Sequence, residues 1–310
     1  MEGSNTRNTG DAAGGGHTAP GEHPGHTMEV RHATHPDQVP GLDTEDLRRH
    51  YLVENLFPTG RIRAVYTHTD RMVIAGTTPA PGEPVELGTF PPLRADHFLQ
   101  RRELGVINLG GPGTVTADGT EHALDTKDCL YLGRGVREVA FATAQPPTGT
   151  PAGPPARFYL VSTPAHTTHP TRLARHRDST GIRLGTADGA NIRTLHRYIA
   201  ADGIPSCQLV MGVTVLEPGS LWNTMPCHTH DRRTEIYLYT DLPDDHRVIH
   251  LMGRPDRTRH LVVAGDQAVI APSWSVHTGA GTHAYAFVWA MGGENQAFDD
   301  MDHVTIPELR

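Results

Sequence analysis

Short apolar segments punctuated by turn residues recur along this chain, and they limit it to a small set of folds. In the first half the segments 62–67, 72–74, 105–108, 114–116 and 129–132 are a few residues long and bounded by Gly, Pro or Asp. In the second half 208–216, 235–239, 248–252, 260–263, 268–270 and 284–289 repeat the style. Lengths of that order suit strands rather than helices. Many evenly spaced short strands argue for barrels or sandwiches. The chain is therefore expected to be all-β, with few short helices and two tandem β-barrel or jelly-roll units. Segments 139–143 and 157–162 read as a hairpin around the loop QPPTGTPAGPPA, and the crossover between units falls at about 165–195, where strand signals fade. Asp43 reads as the N-cap of one short helix, with Leu47, Tyr51 and Leu52 on its apolar face.

The 310 residues suffice for one large domain or two of ordinary size. Expected boundaries are an unordered extension over 1–40, a first unit over 41–165 and a second over 166–310. The extension is rich in Gly, Pro, Thr and His and nearly free of large apolar residues, so ordering it gains little burial. His17, His23, His26, His32 and His35 in it read as solvated side chains with at most loose metal affinity. The start MEGSNTRNTGDAAGGG lacks the apolar run of a secretory signal, and no apolar stretch approaches the roughly 18 residues of a membrane span. A net charge of −8, without a basic stripe, argues against nucleic acid as a partner. Cys129, Cys207 and Cys227 are far apart and odd in number, which excludes a CxxC zinc ribbon and fits a reducing, cytoplasmic setting.

The strongest local signal is Cys227-His228-Thr229-His230-Asp231-Arg232-Arg233-Thr234-Glu235. On a strand, His228 and His230 point to one face, and Glu235 can return to it across a turn. The spacing HxHx4E resembles the metal half-site of cupins. The run from Gly265 and Asp266 through Pro272 to His277 resembles their second motif, with one extra residue before the proline and Trp274 in place of the usual glycine. Together the pieces make a three-His, one-Glu set suited to zinc or another divalent transition metal. In the first half, alignment of Arg101-Arg102 with Arg232-Arg233 keeps His97, but Leu99 and Leu104 replace two ligands and Glu138 stands where His277 would be. The first unit is thus expected to bind no metal.

Longer blocks carry a more specific resemblance. RRELGVINLGG at 101–111, PAHTTHPT at 164–171, LWNTMPCHTH at 221–230, PSWSVH at 272–277 and GENQAFDDMDHV at 293–304 resemble the 4-deoxy-L-threo-5-hexosulose-uronate ketol-isomerase family, from about residue 28 to the C-terminus. The chain departs from that pattern at His169, where Tyr is common, in its long proline loop and in its N-terminal extension. The resemblance implies a bicupin fold and ligands at His228, His230, Glu235 and His277. It also implies one zinc ion per subunit, a homo-hexamer and a role in pectin or other uronate polysaccharide breakdown.

The implied substrate has an aldehyde at C1, a hydroxyl at C2, a ketone at C5 and a carboxylate at C6. Moving the carbonyl from C1 to C2 needs a Lewis acid and a group that carries a proton between those carbons. Tyr237 and Tyr239 share the strand face of Glu235. Tyr237 is the candidate for proton handling or orientation, against the alternative of a packed barrel tyrosine, and Gln208 and Glu294 are further candidates. The carboxylate calls for an arginine, and Arg232, Arg233 and Arg259 are the options considered. Two other readings use the same residues: an iron-dependent cupin dioxygenase, and a non-enzymatic sugar-binding cupin.

Overall fold

A computed structural model describes residues 23, 25–145, 151 and 153–310. Strands dominate and helices are few and short, as the sequence punctuation predicts. Apart from a two-stranded sheet of His228–Thr229 and Asp302–His303, the described strands form two pairs of sheets of one design. A seven-stranded sheet runs in the order Thr27–Arg31, Arg63–Thr67, Val73–Thr77, Phe158–Pro164, Arg102–Asn108, Cys129–Leu132 and Arg172–Ala174, with a four-stranded sheet centred on Val139–Thr143 and Gly113–Ala117. The second pair has Ile182–Leu184, Arg193–Ile199, Val210–Leu216, Ala286–Gly293, Arg233–Thr240, Gln267–Ala271 and Leu52–Val53 in its large sheet. Its small sheet holds Trp222–Asn223, Thr278–Gly281, Val248–Arg254 and Arg257–Val263.

The apolar core follows from this doubling. One cluster, with Leu104, Val106, Phe141 and Phe158, fills the first pair of sheets. Another, with Tyr237, Tyr239, Phe287 and Trp289, fills the second. A third lies between the two large sheets and joins Ile74, Ile107 and Tyr159 to Met211, Ile236 and Val288. Strands Arg233–Thr240 and Ala286–Gly293 are therefore covered on both faces, and they read in sequence as nearly continuous apolar runs. Within them the period of two still sorts side chains: Ile236 and Leu238 face the middle layer, Tyr237 and Tyr239 the second core.

The helix Thr44–Tyr51 forms where expected. Asp46 N donates to the Asp43 carboxylate at 2.8 Å, and Leu47 and Tyr51 are buried. Other expectations need correction. Residues up to 40 were expected to lack order, yet Thr27–Arg31 pairs in parallel with Arg63–Thr67, and Met28 packs on the first core. An open sheet edge supplies the backbone partners that this polar stretch lacks by itself. Of the tail histidines, His17 lies outside the described residues. Segments 139–143 and 157–162 do not form a hairpin, because Val139–Thr143 joins the small sheet and Phe158–Pro164 the large one. Part of the proline-rich loop between them lies outside the described residues. The crossover region contributes two short edge strands, Arg172–Ala174 and Ile182–Leu184. Edge strands need few buried apolar residues, which is why their signal is faint. Across residue 165 the units exchange strands both ways, since Leu52–Val53 pairs with Gln267–Ala271 and Arg172–Ala174 with Cys129–Leu132.

A buried carboxylate ties the units together. Glu103, fully buried on Arg102–Asn108, accepts hydrogen bonds from Tyr131 Oη at 2.8 Å and Thr163 Oγ1 at 3.0 Å. It also accepts from the backbone N–H groups of Cys207 at 2.7 Å, Gln208 at 2.9 Å and Leu209 at 2.8 Å, at the entry to Val210–Leu216. Each donor left unpaired in the interior costs about 1–3 kcal/mol. Glu103→Ala is therefore expected to lower unfolding free energy by at least about 3 kcal/mol. Glu103→Gln, which keeps one acceptor oxygen, should cost less. Urea denaturation of both variants measures this, and equal stability of the Ala variant and the parent would contradict the role.

Candidate metal centre

Four side chains named from the sequence meet at one point. His228 sits on the two-residue strand His228–Thr229, and a turn at 231–232 brings the chain back so that Glu235 enters from Arg233–Thr240 on the same side. His277 arrives from the far end of the 272–277 turn, where Ser275 N donates to Pro272 O and Ser275 Oγ accepts from Gly253 N. His228 Nε2 lies 3.1 Å from His230 Nε2 and 3.0 Å from His277 Nε2. Glu235 Oε2 lies 2.8 Å from both His230 Nε2 and His277 Nε2, and 4.0 Å from His228 Nε2. All four residues are buried.

The donor set fits a cation. Asp300 O and Ser275 O can only accept, so His230 Nδ1 and His277 Nδ1 donate to them, at 2.9 and 3.2 Å. Their Nε2 atoms then carry lone pairs, and these converge with a carboxylate oxygen and the third imidazole. Atoms bound about 2.0–2.2 Å from one divalent ion stand roughly 3 to 3.6 Å apart, which the separations here bracket. Carbonyls that fix imidazole tautomers are the usual outer support of such sites. Burial, reinforced by the neighbouring His277, pushes His228 down to about 2, so its ring is a neutral ligand. Burial raises the Glu235 carboxyl, and protonated His277 and His230 imidazoles would outweigh it and hold the group below the usual carboxylate range, a role that a bound cation takes over when their Nε2 atoms are ligands. Zinc or a similar transition metal suits three imidazoles and one carboxylate.

A cavity of about 210 Å³ opens beside His228, His230 and Glu235. Phe287, Trp289, Met291 and Phe298 give it apolar walls, and Arg193, Thr214, Thr224, Tyr237 and His303 give it polar ones. Tyr237 is thus placed as expected, with its hydroxyl 3.1 Å from Thr224 Oγ1. Burial, and then the nearby Glu235, raises its phenol well above the ordinary range. The other catalytic candidates are not brought here. Gln208 spends its side-chain amide on Pro164 O at 2.6 Å, and Glu294 is exposed. Neither lines the cavity.

The three arginines considered for the carboxylate also point elsewhere. Arg232 pairs with Asp300, Arg233 donates to Ala297 O and Asp300 O, and Arg259 donates to Val39 O and Pro40 O. Arg193, Thr214 and Trp289 were missed because no local motif marks them, and His303 because nothing within the block 293–304 sets it apart. Three sit on strands of the large sheet and one on the C-terminal strand Asp302–His303, which pairs with His228–Thr229. Alternation along Ala286–Gly293 from Phe287 could have singled out Trp289. In the first unit Leu99 and Leu104 are buried in the apolar cluster, and His97 and Glu138 line a separate cavity of about 570 Å³.

The model of the KduI/IolB family matches residues 55–306. The 4-deoxy-L-threo-5-hexosulose-uronate ketol-isomerase of Kineococcus radiotolerans is 58% identical over 283 residues, covering 91% of this chain and 100% of that one. Among solved structures, an IolB-like protein from Salmonella typhimurium aligns with a TM-score of 0.60 at 16% identity, over 75% of this chain and 87% of that one. Oxalate decarboxylase from Lactobacillus farciminis aligns at 0.51 and 11% identity, over 76% and 79%. At such low identity the two structures speak for the fold alone, a cupin-like one.

Replacing His228 by Ala removes one of four converging donors. Metal analysis of the purified variant is expected to fall from about one divalent ion per chain to a small fraction of that, with the fold kept. Full metal retention would contradict the assignment.

Proposed function

The chain belongs to the KduI/IolB family, and from that premise we propose that it is a metal-dependent ketol-isomerase. It converts 4-deoxy-L-threo-5-hexosulose uronate to 3-deoxy-D-glycero-2,5-hexodiulosonate, a step in the breakdown of pectin and related polysaccharides. The observation that carries this reading is the 58% identity to the Kineococcus radiotolerans isomerase over that enzyme's whole length. The two pairs of sheets form the two barrels of a bicupin, with Leu52–Val53 given to the second and Arg172–Ala174 to the first, and the second would hold one zinc ion through His228, His230, Glu235 and His277. The active assembly is a homo-hexamer. A contact face is available on the outer sheet, where Trp222, Ile249 and Val262 are exposed along one cross-strand row through Ala280.

A divalent ion, if held by these four residues, would supply Lewis acidity at the carbonyl end of the substrate. The chain's own groups do the rest. Tyr237, whose phenol stays protonated, donates a hydrogen bond to the reacting end of the substrate and serves as a proton donor. His303 stands on the cavity wall with its ring 6.3 Å from that of His228, and imidazole is the commonest side chain for proton transfer. Phe287, Trp289 and Phe298 keep bulk water from a carbanion-like carbon. A proton resting on a side chain between C2 and C1 can exchange with solvent before it returns.

Anaerobic incubation with the keto-deoxyuronate, followed by NMR, is expected to show the 2,5-diketo product. A requirement for oxygen would favour an iron dioxygenase, and binding without conversion a sugar-binding cupin. In D2O the product is expected to carry deuterium on the carbon that was C1 of the substrate, the CH2OH carbon of the product. Tyr237→Phe should slow turnover by roughly 100-fold with metal content unchanged. A variant as fast as the parent would remove Tyr237 from proton handling.

A further inference from the structure

Three polar residues of the cavity wall have no use in proton transfer. Arg193 reaches the cavity from Arg193–Ile199, and Nη1 donates to Asn191 O at 2.8 Å. Among the described residues that line the cavity it is the one permanent cation, and no carboxylate pairs with it. Burial lowers its guanidinium, while Tyr237 and Tyr285 nearby raise it. Trp289 Nε1 and Thr214 Oγ1 are both buried without a hydrogen-bond partner, and both residues line the same cavity. Trp289 is 2% exposed and Thr214 1%. Buried donors left this way are rare and call for an occupant.

Topology puts the three groups on one face. Thr214 stands opposite Leu195, which is two residues from Arg193 and also lines the cavity. Trp289 stands opposite Tyr237 on one side and Gly212 on the other. The indole lies over Gly212, where a Cβ would come within 2.2 Å of Trp289 Cζ2, so the bare backbone there gives the ring its place.

We propose that Arg193, with Trp289 Nε1–H and the Thr214 hydroxyl, forms an anion pole that binds the C6 carboxylate of the open-chain substrate. This rests on the isomerase reading. An extended six-carbon chain spans only about 6 Å from C1 to C6, so with C1 and C2 at the ligand cluster its carboxylate stays within this cavity. A guanidinium pairs with a carboxylate through two parallel N–H bonds, and an indole N–H can only donate. The pole thus sets specificity for uronates over neutral aldoses, and it assigns the role to Arg193 instead of Arg232, Arg233 or Arg259.

The test compares the keto-deoxyuronate with its C6 methyl ester in the metal-loaded parent, Arg193→Gln and Trp289→Phe. The parent is expected to favour the acid by about 100-fold in kcat/KM. Arg193→Gln should lose that preference, about 100-fold on the acid and mainly in KM, with little change on the ester. Trp289→Phe should lose about 5-fold on the acid. Equal losses on acid and ester, or an acid preference kept by Arg193→Gln, would overturn the proposal. Metal content and melting temperature of each variant separate a folding defect from a lost contact. Calorimetry with D-gluconate and uncharged D-glucitol gives a readout free of turnover. Tighter gluconate binding in the parent, lost in Arg193→Gln, supports the pole even if the parent converts neither the keto-deoxyuronate nor its ester. No preference for gluconate overturns it. A parent that converts neither the keto-deoxyuronate nor its ester yet prefers gluconate would instead sink the isomerase reading.

Discussion

The back-to-back packing of the two seven-stranded sheets sets the position of nearly everything else. Ile74, Ile107 and Tyr159 of one sheet meet Met211, Ile236, Leu238 and Val288 of the other in a fully buried layer. Gly105 lets the sheets approach, since a Cβ there would come within 2.5 Å of Met211 Sδ. Once Ile236 and Leu238 face this layer, strand geometry turns Glu235, Tyr237 and Tyr239 into the second core. A slip of one residue would bury Glu235 against the first unit and put Ile236 in the site. Glu103 pins the edge of the same layer by holding the backbone at 207–209, from which Val210–Leu216 begins.

Orientation of the ligands depends on a second, smaller constraint at the C-terminus. Asp300 O receives both His230 Nδ1 and Arg233 Nη2, the latter at 2.7 Å, while the Asp300 carboxylate pairs with Arg232. The hydrogen bond to Asp300 holds its carboxyl well below the ordinary range, with Arg232 as the main cause and Asn295 next. The same segment supplies Phe298, Met301 and His303 to the cavity wall. Ligand orientation and the shape of the substrate cavity are therefore set by one stretch of chain. Arg233, though fully buried and close to Glu235, donates through Nη1 to Ala297 O and through Nη2 to Asp300 O. The charge of Glu235 is left for the cation among the imidazoles.

What the sequence revealed depended on whether a signal was local. His228, His230 and Glu235 lie within eight residues and obey strand and turn geometry, and His277 follows a recognisable turn, so the cluster was legible. Tyr237 followed by alternation alone. Arg193, Thr214 and Trp289 come from three strands that only the sheet order brings together, and each looks ordinary in its own segment. Arg232 and Arg233 were attractive because they adjoin the ligand motif, yet nothing in their sequence reveals that Asp300 and Ala297 claim them. Thr27–Arg31 escaped notice for a related reason: its order comes from the edge of Arg63–Thr67, not from its own apolar content. The supposed hairpin around the proline-rich loop failed because two adjacent strands can belong to different sheets.

The claim that the four-residue cluster drives the isomerisation through one bound ion is tested most directly by metal reconstitution. Protein freed of metal by chelation is titrated with zinc while turnover of the keto-deoxyuronate is followed. Turnover is expected to start near zero, rise in proportion to added zinc and level off at about one equivalent per chain. Full turnover in the metal-free protein would contradict the account.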